Sequence, residues 1–397
     1  MKEGVETNEA RNETRIKEAL EREFSLENLR AYAKACEEIG VRLAEILEKE
    51  EDGVAILLPS RGAIPVFIGA CFSLEKLGML GRIDLPPLTC FDYIRGRIVS
   101  GGGTQIQRTP VLIFPFTSDV NFGDLVKDPE QKCGIIDHMR RFGARAVMDF
   151  FKPPGERNGL EYQLFLTFLE VVEGRRKIIE FYEKFPQIEK FVVIDTVISG
   201  RASWTILNEW EENGIEIGEK GEIEPILLVD EEGRKIKEEF RRYIQTCRCC
   251  QRIPRILTED RGAALEGVVA VVYPQLILSA HEIRELYHQV YPLFGSWHSI
   301  PLKFQNTYLK IFNEFLSTIE AIINNNEDLE KLREDFLRDL SNTGVLSTRD
   351  SLVNGRDLDL PFTPSQTHET SARVIQVFYD ESKFSSIIRA IKAKQAK

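Results

Sequence analysis

Residues 191–207 read FVVIDTVISGRASWTIL, and this stretch decides the fold. Phe191-Val192-Val193-Ile194-Asp195 is an apolar run with one carboxylate at its end, the pattern of a strand buried on both faces of a sheet. A turn of small residues follows, Ser199-Gly200-Arg201-Ala202-Ser203, and then helical periodicity over about 202–212. Strand, turn and helix in that order make half of a parallel βαβ unit. In an open parallel sheet ligands bind beyond the carboxyl ends of the strands. Backbone N–H groups and the positive end of the helix dipole meet there, which suits a phosphate. Ser199 and Ser203 add hydroxyl donors, and Asp195, set back on the strand, is placed to accept from ligand hydroxyls.

Outward from this unit the same alternation continues. Residues 13–49 are predicted helical, with Ser25 as an N-cap and Leu29, Tyr32, Cys36, Ile39, Leu43 and Leu47 at helical spacing. Val54 to Leu58 reads as a buried strand, Pro59-Ser60-Arg61-Gly62-Ala63 as a turn, and 65–78 as a helix. Strands are expected at 86–94 and 110–116, joined by a connection that holds Gly101-Gly102-Gly103 with Arg95, Arg97 and Arg108 around it. Then come a helix at 130–142, a strand-like run at 144–151 and a helix at 160–185. Past the central unit, 225–229 and 268–273 read as strands, and 232–246, 303–323 and 381–395 as helices. The fold class is therefore α/β, with an open, mostly parallel sheet covered on both faces.

The central strand, its acid and the S-x-x-x-S turn resemble the phosphoribosyl-pyrophosphate motif of the type I phosphoribosyltransferases. AILLPSRGAIPVFIGA, 55–70, looks like that family's pyrophosphate loop, and the glycine-containing hairpin at 94–109 stands where the family keeps a flexible catalytic loop. The three elements lie in the family's chain order and span about 54–230. The resemblance implies a phosphoribosyltransferase-like domain over 53–302 with an insertion near 117–185, a helical segment at 1–52 before it and a helical extension at 303–397 after it. It implies a small phosphorylated ribose or nucleotide as ligand, with displacement at ribose C1, pyrophosphate leaving, and Mg²⁺ carried on the ligand's phosphate and ribose oxygens. By the same resemblance Asp195, counted among the catalytic residues, would bind ribose hydroxyls, the turn of Ser199, Gly200, Arg201, Ala202 and Ser203 would bind the 5′-phosphate, and Thr196 would also touch the ligand. Ser60, Arg61, Gly62 and Ala63 would face pyrophosphate, with Arg95, Arg97 or Arg108 closing over it as the catalytic cations.

The chain departs from the family pattern in three places. Thr196 stands where most members carry a second acid, Gly200-Arg201 replaces Thr-Gly, and 134 positions separate Arg61 from Asp195. A catalytically silent relative that senses a phosphoribosyl compound, and an unrelated α/β interaction protein, are therefore alternatives. The C-terminal helices are the expected contact for a second copy or a protein partner.

The rest of the composition excludes more than it assigns. With 52 basic against 63 acidic residues the net charge is −11, a field that repels long polyanions, so no extended nucleic acid is expected. No apolar run is long enough to span a bilayer and the first residues are polar and acidic, so we expect no membrane and a cytoplasmic location. Seven cysteines fit reduced thiols, and Cys247, Cys249 and Cys250 lack the paired spacing of a zinc site, so no metal ligands are assigned. Walker, dinucleotide and nucleophile-elbow motifs are missing. Arg241, Arg242, Arg248, Arg252, Arg255 and Arg261 make one stretch locally basic, and a solvated or ion-paired face is the first reading of it.

Overall fold

Among the described residues six strands hydrogen-bond in the order β2-β3-β1-β4-β5-β6, every neighbouring pair parallel. They are β1 (Val54–Pro59), β2 (Ile83–Asp84), β3 (Thr109–Phe114), β4 (Lys190–Val197), β5 (Ile223–Asp230) and β6 (Cys249–Ile253). The computed structural model describes residues 18, 20–50, 53–59, 62–86, 89–98, 108–114, 129–159, 161–163, 166, 186–232, 235–257, 302–326 and 328–342. Every residue of β1 and β5 is buried, as a strand flanked by two neighbours and covered on both faces requires.

Among the described residues the helices are α1 (Leu26–Lys49), α2 (Ala63–Lys76), α3 (Asp92–Arg95), α4 (Pro129–Met148), α5 (Arg201–Glu212), α6 (Glu238–Thr246), α7 (Leu302–Ile323) and α8 (Leu329–Asn342). Ser25 caps α1 as its sequence indicated: the residue is extended and its hydroxyl accepts from the Asn28 amide at 3.3 Å. The chain leaves β1 through α2 toward β2 and β3, and leaves β4 through α5 toward β5. Right-handed crossovers running in opposite directions put α2 and α5 on opposite faces. On one face α1 packs on α2, and α7 packs on both; on the other, α4 and α6 pack on α5. Trp210, fully buried on α5, donates its indole N–H to the Ala144 carbonyl of α4 at 2.8 Å.

The C-terminal helices belong to the same packed cluster as the sheet. Phe315 of α7 stands edge-on to Tyr32 of α1 at 5.7 Å between ring centres, and Phe336 of α8 to Phe24 at 5.1 Å.

Three expected elements take another form. Residues 86–94 form no strand, since a 3₁₀ turn at Thr89–Phe91 runs into α3. Phe91 packs edge-on against Phe67, and the Tyr93 hydroxyl bonds Ser317 and Glu320 at 2.8 Å each, so these residues serve helix packing. The strand beside β3 is instead the two-residue β2, which pairs with it in parallel. Residues 144–151 continue α4 and end in a 3₁₀ turn at Asp149–Phe151. The side chains buried there, Ala144, Ala146, Val147, Asp149 and Phe150, do not alternate in steps of two and follow the spacing of a helix face. The cysteine cluster leads into strand β6, because α6 ends at Thr246. The predictions at 268–273 and 381–395, and most of that at 160–185, lie outside the described residues.

Candidate functional site

β1 and β4 are neighbours whose following helices lie on opposite faces, so the crevice beyond their carboxyl ends is the switch point of the sheet. Leu57 pairs with Val193, which brings Pro59 level with Asp195. Gly62, the residue before α2, and Ala63 therefore stand at the same edge as the turn that opens α5, and both are buried. Ser60, Arg61 and the glycine run lie outside the described residues.

The turn itself depends on Gly200. Its φ is +74°, and a Cβ built there would meet the Phe240 ring of α6 at 2.4 Å. The Lys237 amide, which opens α6, donates to the Ser199 carbonyl at 2.9 Å, so α6 is laid against the turn. The first helical bond of α5 runs from the Trp204 amide to the Gly200 carbonyl at 2.8 Å, and the Ser199 hydroxyl accepts from the Arg201 amide at 3.5 Å. Among the described residues the amides of Ala202 and Ser203 have no acceptor. That leaves two N–H donors at the positive end of a helix.

Asp195 is 8% exposed, and both its oxygens are engaged inside the chain. One accepts the Ser203 hydroxyl at 2.5 Å, the other the Thr196 amide at 2.8 Å. Burial pushes its pKa up to about 6, while the bonds from Ser203 and Thr196 and the charge of Arg140 pull the other way. The folded value lies above the ordinary 3.8, so the carboxyl's contribution to stability is fully present below that pH and is lost as pH rises through about 6. Asp195→Asn, which keeps the shape and stays neutral, should be more stable than the parent at pH 7.5 by up to about 3 kcal/mol. Urea midpoints between pH 4 and 8 check this: the two profiles converge in acid, and profiles that stay parallel would reject the buried-carboxyl account.

Arg201 leaves the turn altogether. Its guanidinium donates to the Cys133 sulfur at 2.8 Å, to the Cys133 carbonyl at 3.0 Å and to Asp137 at 2.8 Å, all on α4. It neither clasps nor fills the space in front of the Ala202 and Ser203 amides.

No protein-family model, curated protein or solved structure matches the chain. The site is therefore read from its own geometry.

That geometry separates the expected cations from the crevice. Arg108 immediately precedes β3, at the N-terminal edge of the sheet. Arg97 sits beside Glu75 at the C-terminal end of α2, the end remote from the crevice, at 3.2 Å. It makes a two-pronged ion pair with Glu320 of α7 at 2.5 and 2.8 Å and lies over the Tyr93 and Phe72 rings. Arg95 pairs with Asp92 in its own short helix. Packing on α2 and α7 thus holds 92–97 at the edge of the sheet opposite the crevice. Phe240 and Lys237, which shape the turn, and Cys133 and Asp137, which draw Arg201 away, carry no local signal, because each acts from a helix distant in sequence.

The donor set does not suit a protein-held Mg²⁺. Both Asp195 oxygens accept hydrogen bonds, Thr196 replaces a second acid, and no group of three acids, histidines or cysteines among the described residues could hold a metal ion. Among the described residues no helix is long and apolar enough to cross a membrane.

Proposed function

We propose that the chain binds a small phosphorylated ribose or nucleotide in the crevice between β1 and β4, as a divergent relative of the type I phosphoribosyltransferases. One observation carries the reading: the Gly200 turn opens α5 at the switch point with the Ala202 and Ser203 amides unused among the described residues. Helix N-terminal amides take a phosphate whatever side chains surround them. Gly62 and Ala63, across the crevice at the start of α2, supply a second helix N-terminus for the rest of the ligand.

Binding without transfer is favoured over catalysis. The family's reaction needs cations where negative charge gathers on the leaving pyrophosphate, and Arg97 and Arg108 stand at the other edge of the sheet. Asp195 would have to exchange the Ser203 hydroxyl for a ribose hydroxyl, so in its present arrangement it braces the turn.

Thermal denaturation of the full chain with ribose 5-phosphate, nucleoside monophosphates and phosphoribosyl pyrophosphate, each with and without Mg²⁺, tests the reading. A ligand at a hundred times its dissociation constant should add about 2.7 kcal/mol. Arg97→Ala should lower stability by about 1.5–3 kcal/mol, the worth of a charge-assisted pair, and leave that increment unchanged. No stabilisation by any of these compounds would leave an α/β interaction protein as the reading. Pyrophosphate release that Arg97→Ala abolishes would restore the transferase.

A further inference from the structure

The basic stretch seen in the sequence divides sharply in the fold. Arg242 pairs with Glu211, Arg248 with Glu45 and Glu219, and Arg255 with Glu23 and Glu232. Arg261 lies outside the described residues. What remains is Arg252 of β6, with no carboxylate in ion-pair reach among the described residues, and Arg241 of α6, whose partner is the largely exposed Glu238 at 3.1 Å. Both line an open cleft of about 490 Å³, together with Lys235, which likewise makes no ion pair among the described residues. In a chain of net charge −11, two cations without an ion pair among the described residues, and a third paired only with an exposed carboxylate, need a reason to share one concavity.

The cleft stands where a parallel sheet takes ligands. Val229 pairs with Arg252 and Asp230 with Ile253, so its floor is the carboxyl ends of β5 and β6. Arg241 and Gln245 are four residues apart on α6 and project from one face of it. Ile236 and Ile244 give the cleft an apolar wall. Two acids are also present. Asp230 is buried and turns one oxygen to the Ile256 amide at 3.0 Å, while Glu231 is exposed at the rim, where it can accept from a hydroxyl. The volume falls in the range of small-molecule pockets.

We propose that this cleft is a second ligand site, which holds the phosphate of a small phosphomonoester between Arg241, Arg252 and Lys235 while the hydroxylated body of the ligand meets Glu231 and the isoleucine wall. Two guanidinium groups and an ammonium supply the positive charge and the N–H donors that a phosphate dianion takes. The proposal does not rest on the crevice between β1 and β4, which lies on the far side of α6, and the two can fail separately.

Titration calorimetry on the full chain with inorganic phosphate, then with ribose 5-phosphate, then with acetate, tests it. The expected order is ribose 5-phosphate tighter than phosphate, with acetate weakest. Arg252→Gln combined with Lys235→Gln, both exposed positions, should weaken phosphate binding at least tenfold with an unchanged melting temperature. The matched loss of two charges, Lys49→Gln with Lys220→Gln, at the N-terminal edge of the sheet, should leave it unaltered. Phosphate that does not bind, binding that survives the first double variant, or equal weakening by the Lys49 and Lys220 pair would each overturn the site. Ribose 5-phosphate binding that survives the first double variant while phosphate binding is lost would belong to the crevice and leave this assignment standing.

Discussion

Gly200→Val should destabilise the folded chain by about 3–5 kcal/mol, from two independent causes. The backbone at 200 is left-handed, φ +74°, a conformation that costs an ordinary L-residue about 1–2 kcal/mol and a β-branched one more. The new Cβ would also stand 2.4–3.0 Å from three carbons of Phe240, and relieving such an overlap costs about 1–3 kcal/mol. Gly200→Ala meets the same first carbon and should lose about 2–3 kcal/mol. A double-mutant cycle separates the causes. Against a Phe240→Ala background, which removes the two nearest of those carbons, most of the steric part of the alanine cost should fall away while the backbone part remains, giving a coupling of about 1 kcal/mol or more. Denaturant midpoints measure all four proteins, and additive losses would mean that Phe240 does not press on the turn. Since α6 is held to the turn through the Lys237 amide, the valine variant should also expose that helix to faster hydrogen exchange.

How much of this was legible in the sequence follows from what each segment buries. β1, β4 and β5 announce themselves because a parallel strand covered on both faces is an unbroken apolar run, and the runs at 54–58, 191–195 and 225–229 have no competing period. α1 was legible through Ser25 and its spaced apolar residues. Short apolar runs without a clear period misled, and 86–94 and 144–151 are of that kind: helix packing decides their form, and periodicity alone does not separate the two outcomes. β2 is too short and β6, CCQRI, too polar to show any alternation.

At the site, the turn and the need for a glycine at 200 could be read locally, because turn chemistry is local. The engagement of Arg201 by α4 and of Arg97 by Glu320, 64 and 223 residues away, could not be read, because an ion pair across a core leaves no pattern in either segment. The same long-range pairing explains why a stretch of six arginines that looked uniform holds three that are neutralised.

Glu224→Ala should be as damaging as the change at Gly200, at about 3–5 kcal/mol, for an electrostatic reason. Glu224 is 1% exposed at the start of β5, yet it carries a charge held from two sides. Arg42 of α1 donates to one oxygen through Nε at 2.8 Å and through a second nitrogen, and Lys190 of β4 approaches the other at 3.0 Å. Removing the carboxylate leaves a buried guanidinium, 7% exposed, and a nearly buried ammonium facing each other, and breaking a buried pair in this way costs about 3–5 kcal/mol. Arg42 keeps Glu45 at 2.8 Å, and Lys190 keeps the Glu219 carbonyl at 2.7 Å, which sets the loss below that of two bare charges. Glu224→Gln retains an acceptor for Arg42 and should lose less than the alanine variant. The deciding protein is Arg42→Met with Glu224→Leu, which removes the charged pair and fills its space. It should recover most of the stability, because desolvating the original charges offset much of their attraction. A double variant as unstable as Glu224→Ala would show that the pair contributes through more than charge compensation, and that the hydrogen bonds joining α1 to β5 are themselves what holds the N-terminal edge of the sheet together.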